Sequence, residues 1–140
     1  MIVGLDHIAI AVPDMQAAIQ RFMNDFGIPL AGVDDVVAAQ TSTAFFPITG
    51  TQIELIHPLD GQGPVQKYLE KKGGGLHHLC FRTNDIQGDM VRLTQLGYRL
   101  LSDVPKPGAH GTLTVFIHPK SCDGVLIELV EYPEGMDAHG

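Results

Sequence analysis

A chain of 140 residues, 44% hydrophobic and 18% charged with a mean hydropathy of +0.10, has the make-up of an ordinary soluble globular protein. Its formal charge of -7 argues against a nucleic-acid binder, which would show a basic face, and disfavours anionic membranes, while leaving room for an anionic small molecule in a local basic pocket. Cys80 and Cys122 form neither a CxxC pair nor a disulfide framework, and no leader-like or membrane-spanning apolar run is present, so a cytoplasmic protein is expected.

Taken in chain order, His7 to Val12 alternates, with Ile8, Ile10 and Val12 on one face and His7, Ala9 and Ala11 on the other. After the N-cap candidate Asp14, Met15, Ala18, Ile19, Phe22 and Met23 share one helical face, and Gly27 sits where the helix should stop. Three strands follow, at Val36 to Gln40, Thr43 to Ile48 and Gln52 to His57. A short helix is expected at Pro64 to Lys72, with Val65, Tyr68 and Leu69 on one side and the glycines 73–75 ending it. Then comes a strand from His78 to Thr83, a cap at Asn84 or Asp85, and a helix with Ile86, Met90 and Leu93 inward that stops near Gly97. Gly88 inside that helix costs ~1 kcal/mol relative to Ala. The last strands are expected at Arg99 to Ser102, Leu113 to His118 and Val125 to Glu131, with a loose tail after Pro133.

The second set of elements copies the first. His7 matches His78, Asp14 matches Asp85 and Gly27 matches Gly97, at offsets of 71, 71 and 70, and "IELI" at 53–56 matches "IELV" at 127–130 at an offset of 74. The unit is βαβββ, twice. An α+β fold is expected, with the two tandem modules forming a partly closed, curved sheet around a cavity. The whole chain, 1–140, is expected to be one domain: module one about 1–60, the connecting helix about 64–72, and module two about 76–133.

The repeat changes the weight of four residues. A carboxylate at Glu128, flanked by Leu126, Ile127, Leu129 and Val130, is costly to bury unpaired, and Glu54 poses the same problem at the equivalent position. Exposure on an edge strand or an ion pair would explain either one alone. His7 and His78, however, are also equivalent, each at the start of its module's first strand. If first and last strands lie side by side in each module, a pseudo-twofold axis brings His7, Glu54, His78 and Glu128 together beside the small residues Ala9, Ala11 and Cys80. Two imidazoles and two carboxylates suit a divalent ion such as Co²⁺, Ni²⁺, Mn²⁺, Zn²⁺ or Fe²⁺. Open coordination positions would make such a site catalytic.

Other candidates are weaker. His57, His118 and His139 are expected to be solvated, and His77 should face away from His78 by strand alternation. His110, on a glycine-bounded loop, is a candidate for a place over the cavity. Cys80 reads as a wall residue, and no serine sits in a strand-turn-helix elbow.

The doubled unit with His and Glu in each half resembles the vicinal oxygen chelate superfamily. Within it, "DHIAIAV" at 6–12, "GGGLHHLCFRTNDI" at 73–86, "PKPGAHG" at 105–111 and "HPKSCDGVLIEL" at 118–129 look like the methylmalonyl-CoA epimerase family. The resemblance covers nearly the whole chain, and the last run is the most diagnostic. It implies interconversion of the two α-epimers of methylmalonyl-CoA by 1,1-proton transfer, through an enolate stabilised by a divalent ion, commonly cobalt. The ligands then correspond to His7, Glu54, His78 and Glu128, with Glu128 also moving a proton. Lys120 and Ser121 are the candidates for contacting the CoA moiety; the lysines at 67, 71 and 72 read better as a solvated helix face. A homodimer is implied by analogy with the superfamily. Part of the family carries a second catalytic glutamate after the first helix. It aligns here with Ala44, which leaves the second base open between a metal-bound water, Glu54 and His110; a glutamate at 44 is expected to leave activity similar or improved.

Three other readings remain open. A glyoxalase I-type lactoylglutathione lyase uses the same ligand set. A ring-cleaving dioxygenase would use two His and one carboxylate. A non-catalytic ligand-binding dimer on the same scaffold would usually lack the ligands.

Overall fold

The computed structural model describes residues 1–136, so His139 and the end of the tail lie outside the described residues. The fold is α+β and contains the βαβββ module twice. The first copy comprises β1 (Ile2–Ala11), α1 (Met15–Gln20), β2 (Gly32–Val36), β3 (Thr41–Ile48) and β4 (Thr51–Pro58). The helix α2 (Pro64–Lys72) follows. The second copy comprises β5 (Gly75–Thr83), α3 (Ile86–Gln95), β6 (Lys106–Pro107), β7 (Leu113–Ile117) and β8 (Ile127–Glu131). Two compact units result among the described residues, one of His7–His77 and one of Met1–Asp6 with the chain from His78 to Met136. Among the described residues no helix is long and apolar enough to cross a membrane.

In the His7–His77 unit the strand order is β2-β3-β4-β1, with β1 and β4 parallel and the other pairs antiparallel. Alternation along β1 feeds two different cores. Ile10 and Val12 pack with Ala18, Ala44, Phe46 and Leu55 on the side of α1, whereas Ala9 and Ala11 meet Ile56 and Val65 on the side of α2. Both faces of the strand are therefore apolar at this end. Phe46 and Leu55 are fully buried, each stabilising the fold by roughly 1.5–3 kcal/mol.

The Asp14 carboxylate accepts from the Ala17 amide at 3.1 Å and starts α1 as expected. The helix then widens into a π-turn at Arg21–Asp25, closed by Phe26 N–H donating to Arg21 C=O at 3.1 Å. Phe22 stays inward against Phe46, but the extra residue in the turn rotates Met23 out to 40% exposure, against the expected inward position. A second correction concerns β2. The expected strand at Val36 to Gln40 is a 3₁₀ turn at Val37–Ala39, and the strand lies just before it, where Asp34 and Asp35 break the apolar pattern. An edge strand tolerates such charges.

In the other unit β1 neighbours β5, and the order continues β5-β8-β7-β6. The core here is Ile86, Met90, Val115, Ile117 and Leu129, with Leu93 packed against it. Asp85 caps α3 by accepting from the Gly88 amide at 3.0 Å. A Cβ at Gly88 would stand 2.2 Å from the Asp85 Oδ2 atom, so the glycine makes room for the cap. Arg99 to Ser102 forms no strand. Leu100 makes one bridge to Ile117, and the short edge strand β6 pairs with the far end of β7 instead.

Asp89 of α3 is 2% exposed and accepts hydrogen bonds from the Thr83 hydroxyl, from Arg92 at 3.2 Å and from the Met1 ammonium at 3.2 Å. Burial pushes its carboxyl up, but the bonds from Thr83, Arg92 and the ammonium outweigh this and hold it below the usual carboxylate range. Its folded pKa is depressed, so its stabilisation is complete above about pH 4 and is lost as pH falls further. Asp89→Asn should lower stability by about 2–3 kcal/mol at pH 7. Urea unfolding at pH 7 and pH 3 checks this: the gap between wild type and variant should shrink at pH 3.

Candidate metal centre

Each unit contains one His–Glu pair, built by the same register. β1 runs parallel to β4 with Ala9 opposite Glu54, and β5 runs parallel to β8 with Cys80 opposite Glu128. In both cases the histidine lies two residues before the small residue, hence on the same face. Ala9 and Cys80 are fully buried, and neither carries bulk that would keep the histidine from its glutamate. On the other flank of each carboxylate stands a phenylalanine, Phe45 opposite Glu54 and Phe116 opposite Glu128. Neither glutamate is on an edge strand, since β4 lies between β3 and β1, and β8 between β5 and β7. Exposure on a sheet edge is therefore excluded as the explanation of these carboxylates.

His7 Nδ1 is 3.1 Å from Glu54 Oε2, with the two side chains 7% and 14% exposed. His78 Nε2 is 3.1 Å from Glu128 Oε1, at 8% and 11% exposure. The His78 ring also meets Phe116 edge to face, with centroids 5.2 Å apart. Two ligand atoms each about 2.1 Å from one ion and at right angles to each other stand about 3.0 Å apart. Each pair thus has the spacing of adjacent ligands as well as that of a hydrogen bond. The donor set, imidazole nitrogen with carboxylate oxygen, fits a borderline or hard divalent cation.

The remaining candidates are placed as follows. His77 stacks edge to face on Tyr68 of α2, at 4.9 Å between centroids, and is not part of the His78–Glu128 pair. His57 is only partly exposed, with Nδ1 2.8 Å from Val12 C=O, so it is not simply solvated as expected. His118 accepts from the Lys120 amide at 3.0 Å and caps a 3₁₀ turn, Pro119–Ser121. His110 is exposed on its loop and takes a left-handed backbone conformation, φ 61°. Lys120 is exposed at the turn before β8, and Ser121 Oγ accepts from the Arg99 amide at 3.0 Å. Ala44 does not face Glu54: it is fully buried in the core beneath α1, and Phe45, flanked by Thr43 and Pro47, is the residue of β3 opposite Glu54 on its face.

Two features escaped the sequence reading. The Phe45 and Phe116 equivalence, at an offset of 71, was available from the repeat. Gln52 was not singled out: its side-chain amide donates to Glu54 Oε2 at 3.0 Å, and the only signal in the sequence was its position two residues before the glutamate.

Residues 6–116 match the family model described as the Glyoxalase/Bleomycin resistance protein/Dioxygenase superfamily. The chain belongs to this superfamily. Within the superfamily it is homologous to methylmalonyl-CoA epimerases over nearly its full length. It is 41% identical to the ethylmalonyl-CoA/methylmalonyl-CoA epimerase of Cereibacter sphaeroides, across 92% of this chain and 98% of that one. It is 38% identical to the mitochondrial methylmalonyl-CoA epimerase of Dictyostelium discoideum, across 91% and 77%. Among solved superfamily structures, a variant Streptomyces coelicolor methylmalonyl-CoA epimerase in complex with 2-nitronate-propionyl-CoA superposes with a TM-score of 0.91 at 30% identity, covering 96% and 97% of the two chains.

Proposed function

We propose that this chain is a divalent-metal methylmalonyl-CoA epimerase in which His7, Glu54, His78 and Glu128 together hold one ion, Co²⁺ in the first instance. The observation that carries the reading is the duplicated His–Glu pair, at matching register positions, in a chain homologous to these epimerases over nearly its full length. When bound, the ion would act as a Lewis acid toward the negative charge that grows on the substrate oxygens as the α-proton leaves. The chain supplies the rest. Glu128 takes the α-proton from one face, a second acid returns a proton to the opposite face to complete the inversion, and the Phe116 and Cys80 neighbours restrict water around the Glu128 carboxylate. Lys120 carries its charge to the CoA phosphates from the exposed turn ahead of β8, and Ser121, whose oxygen already accepts from Arg99, still has its O–H to donate. A homodimer in the cytoplasm completes the reading, and light scattering of the purified chain checks the dimer.

The test is proton exchange. The Co²⁺-loaded protein in deuterated water should wash deuterium into the α-position of methylmalonyl-CoA, read by mass spectrometry. Absence of exchange, with turnover of the methylglyoxal–glutathione adduct instead, would replace the epimerase by a glyoxalase I-type lyase.

A further inference from the structure

We infer that Gln52 is a positioning residue that fixes the carboxylate of Glu54 as a ligand. The inference rests on the metal reading above. Gln52 and Glu54 lie two residues apart on β4, so their side chains share a face. The Gln52 amide donates to Glu54 Oε2 at 3.0 Å, the same oxygen that lies 3.1 Å from His7 Nδ1. Gln52 is itself 7% exposed, so water competes little for this bond. A neutral donor at this place holds the carboxylate's rotation without cancelling the charge a cation needs. A lysine or arginine there would orient Glu54 and oppose the cation at once.

The second repeat lacks the device. The run Ile53-Glu54-Leu55-Ile56 corresponds to Ile127-Glu128-Leu129-Val130, so the counterpart of Gln52 is Leu126, which has no polar side-chain atom. The strand neighbours are otherwise alike, a phenylalanine on one flank of each glutamate and a small buried residue on the other. Glu54, pinned, serves as a fixed ligand. Glu128, 3.1 Å from His78 Nε2, receives no side-chain donor from the position of Leu126.

Co²⁺ affinity of the full chain, measured by competition with a chromophoric chelator, tests this. Gln52→Met keeps the length and removes the N–H; Gln52→Thr is too short to reach and suits a strand, so one of the two is expected to fold in any case. Both should weaken Co²⁺ binding by about 10- to 100-fold, the usual effect of removing a partner behind a ligand. The visible absorption of the bound Co²⁺ should change with it, while Leu126→Met leaves affinity alone. At saturating Co²⁺ the α-proton exchange rate of Gln52→Met should fall far less than that of Glu128→Gln, because Gln52 acts through the ligand Glu54 and does not itself move the proton. Undiminished affinity in both variants overturns the role of Gln52, whatever the substrate. So does a loss of exchange at saturating Co²⁺ as deep as that of a Glu128 variant. Weakened affinity in a protein that exchanges no methylmalonyl-CoA proton overturns the epimerase reading alone. A wild-type chain that binds no Co²⁺ overturns both.

Discussion

Glu128→Gln should slow α-proton exchange on methylmalonyl-CoA by about 10³-fold while the protein stays folded and still takes up metal, though more weakly. The substitution keeps the shape of the side chain and a carbonyl oxygen that can ligate, and it removes the negative charge and with it the capacity to accept and return a proton. General acid–base catalysis contributes about 10²–10⁴-fold, so an effect of that size is what a proton carrier predicts. His78, 3.1 Å from the Glu128 carboxylate, provides the contrast. His78→Ala should lose most bound metal by elemental analysis, because a neutral nitrogen ligand is removed outright and an alanine leaves space in its place. An exchange rate within tenfold of wild type in Glu128→Gln would remove Glu128 as the proton carrier. Unchanged metal content in His78→Ala would remove that residue from the ligand set.

Ala44→Glu should destabilise the protein by at least about 3 kcal/mol, and it should not improve activity. Ala44 is fully buried among Val12, Ala18, Phe46 and Leu55, where a carboxylate has no charged or polar partner among those neighbours. The larger side chain overpacks the site at a cost of about 1–3 kcal/mol, and desolvation of the carboxyl group adds to it. Against a typical total stability of about 5–15 kcal/mol this is a large fraction. Differential scanning calorimetry should show the melting temperature down by about 10 °C or more. A variant as stable as wild type, with faster exchange, would mean that β3 presents residue 44 to the site after all. The expectation of a harmless or helpful glutamate at 44 therefore fails on register. A one-residue shift on a strand moves a side chain to the opposite face, and an alignment without the pairing of β3 and β4 cannot detect that shift.

How much was legible in the sequence follows from the same physics. The duplication was visible because it sets the elements themselves: caps at Asp14 and Asp85, glycine stops and two strand-borne His–Glu combinations all recur at nearly constant offset. The helix Pro64–Lys72 was readable to the residue, since proline opens it at N1 and Gly73, with φ 78°, closes it in a left-handed cap. β2 was misplaced because an edge strand carries little of the apolar pattern that identifies a strand, and Met23 was misjudged because periodicity assumes an unbroken α-helix.

By itself the sequence determined which four residues were worth following, because burying a carboxylate unpaired is costly in any fold and a repeat supplies the same group twice. Only the tertiary structure decided what each one touches. Parallel pairing set Ala9 against Glu54 and Cys80 against Glu128, which brought each histidine to 3.1 Å from its glutamate. It also turned Ala44 into the core and drew Gln52 onto Glu54. Cross-strand register is a contact between segments distant in the chain. Local composition and period constrain it only as far as which face is apolar, and β1 and β4 contribute apolar residues to cores on both faces.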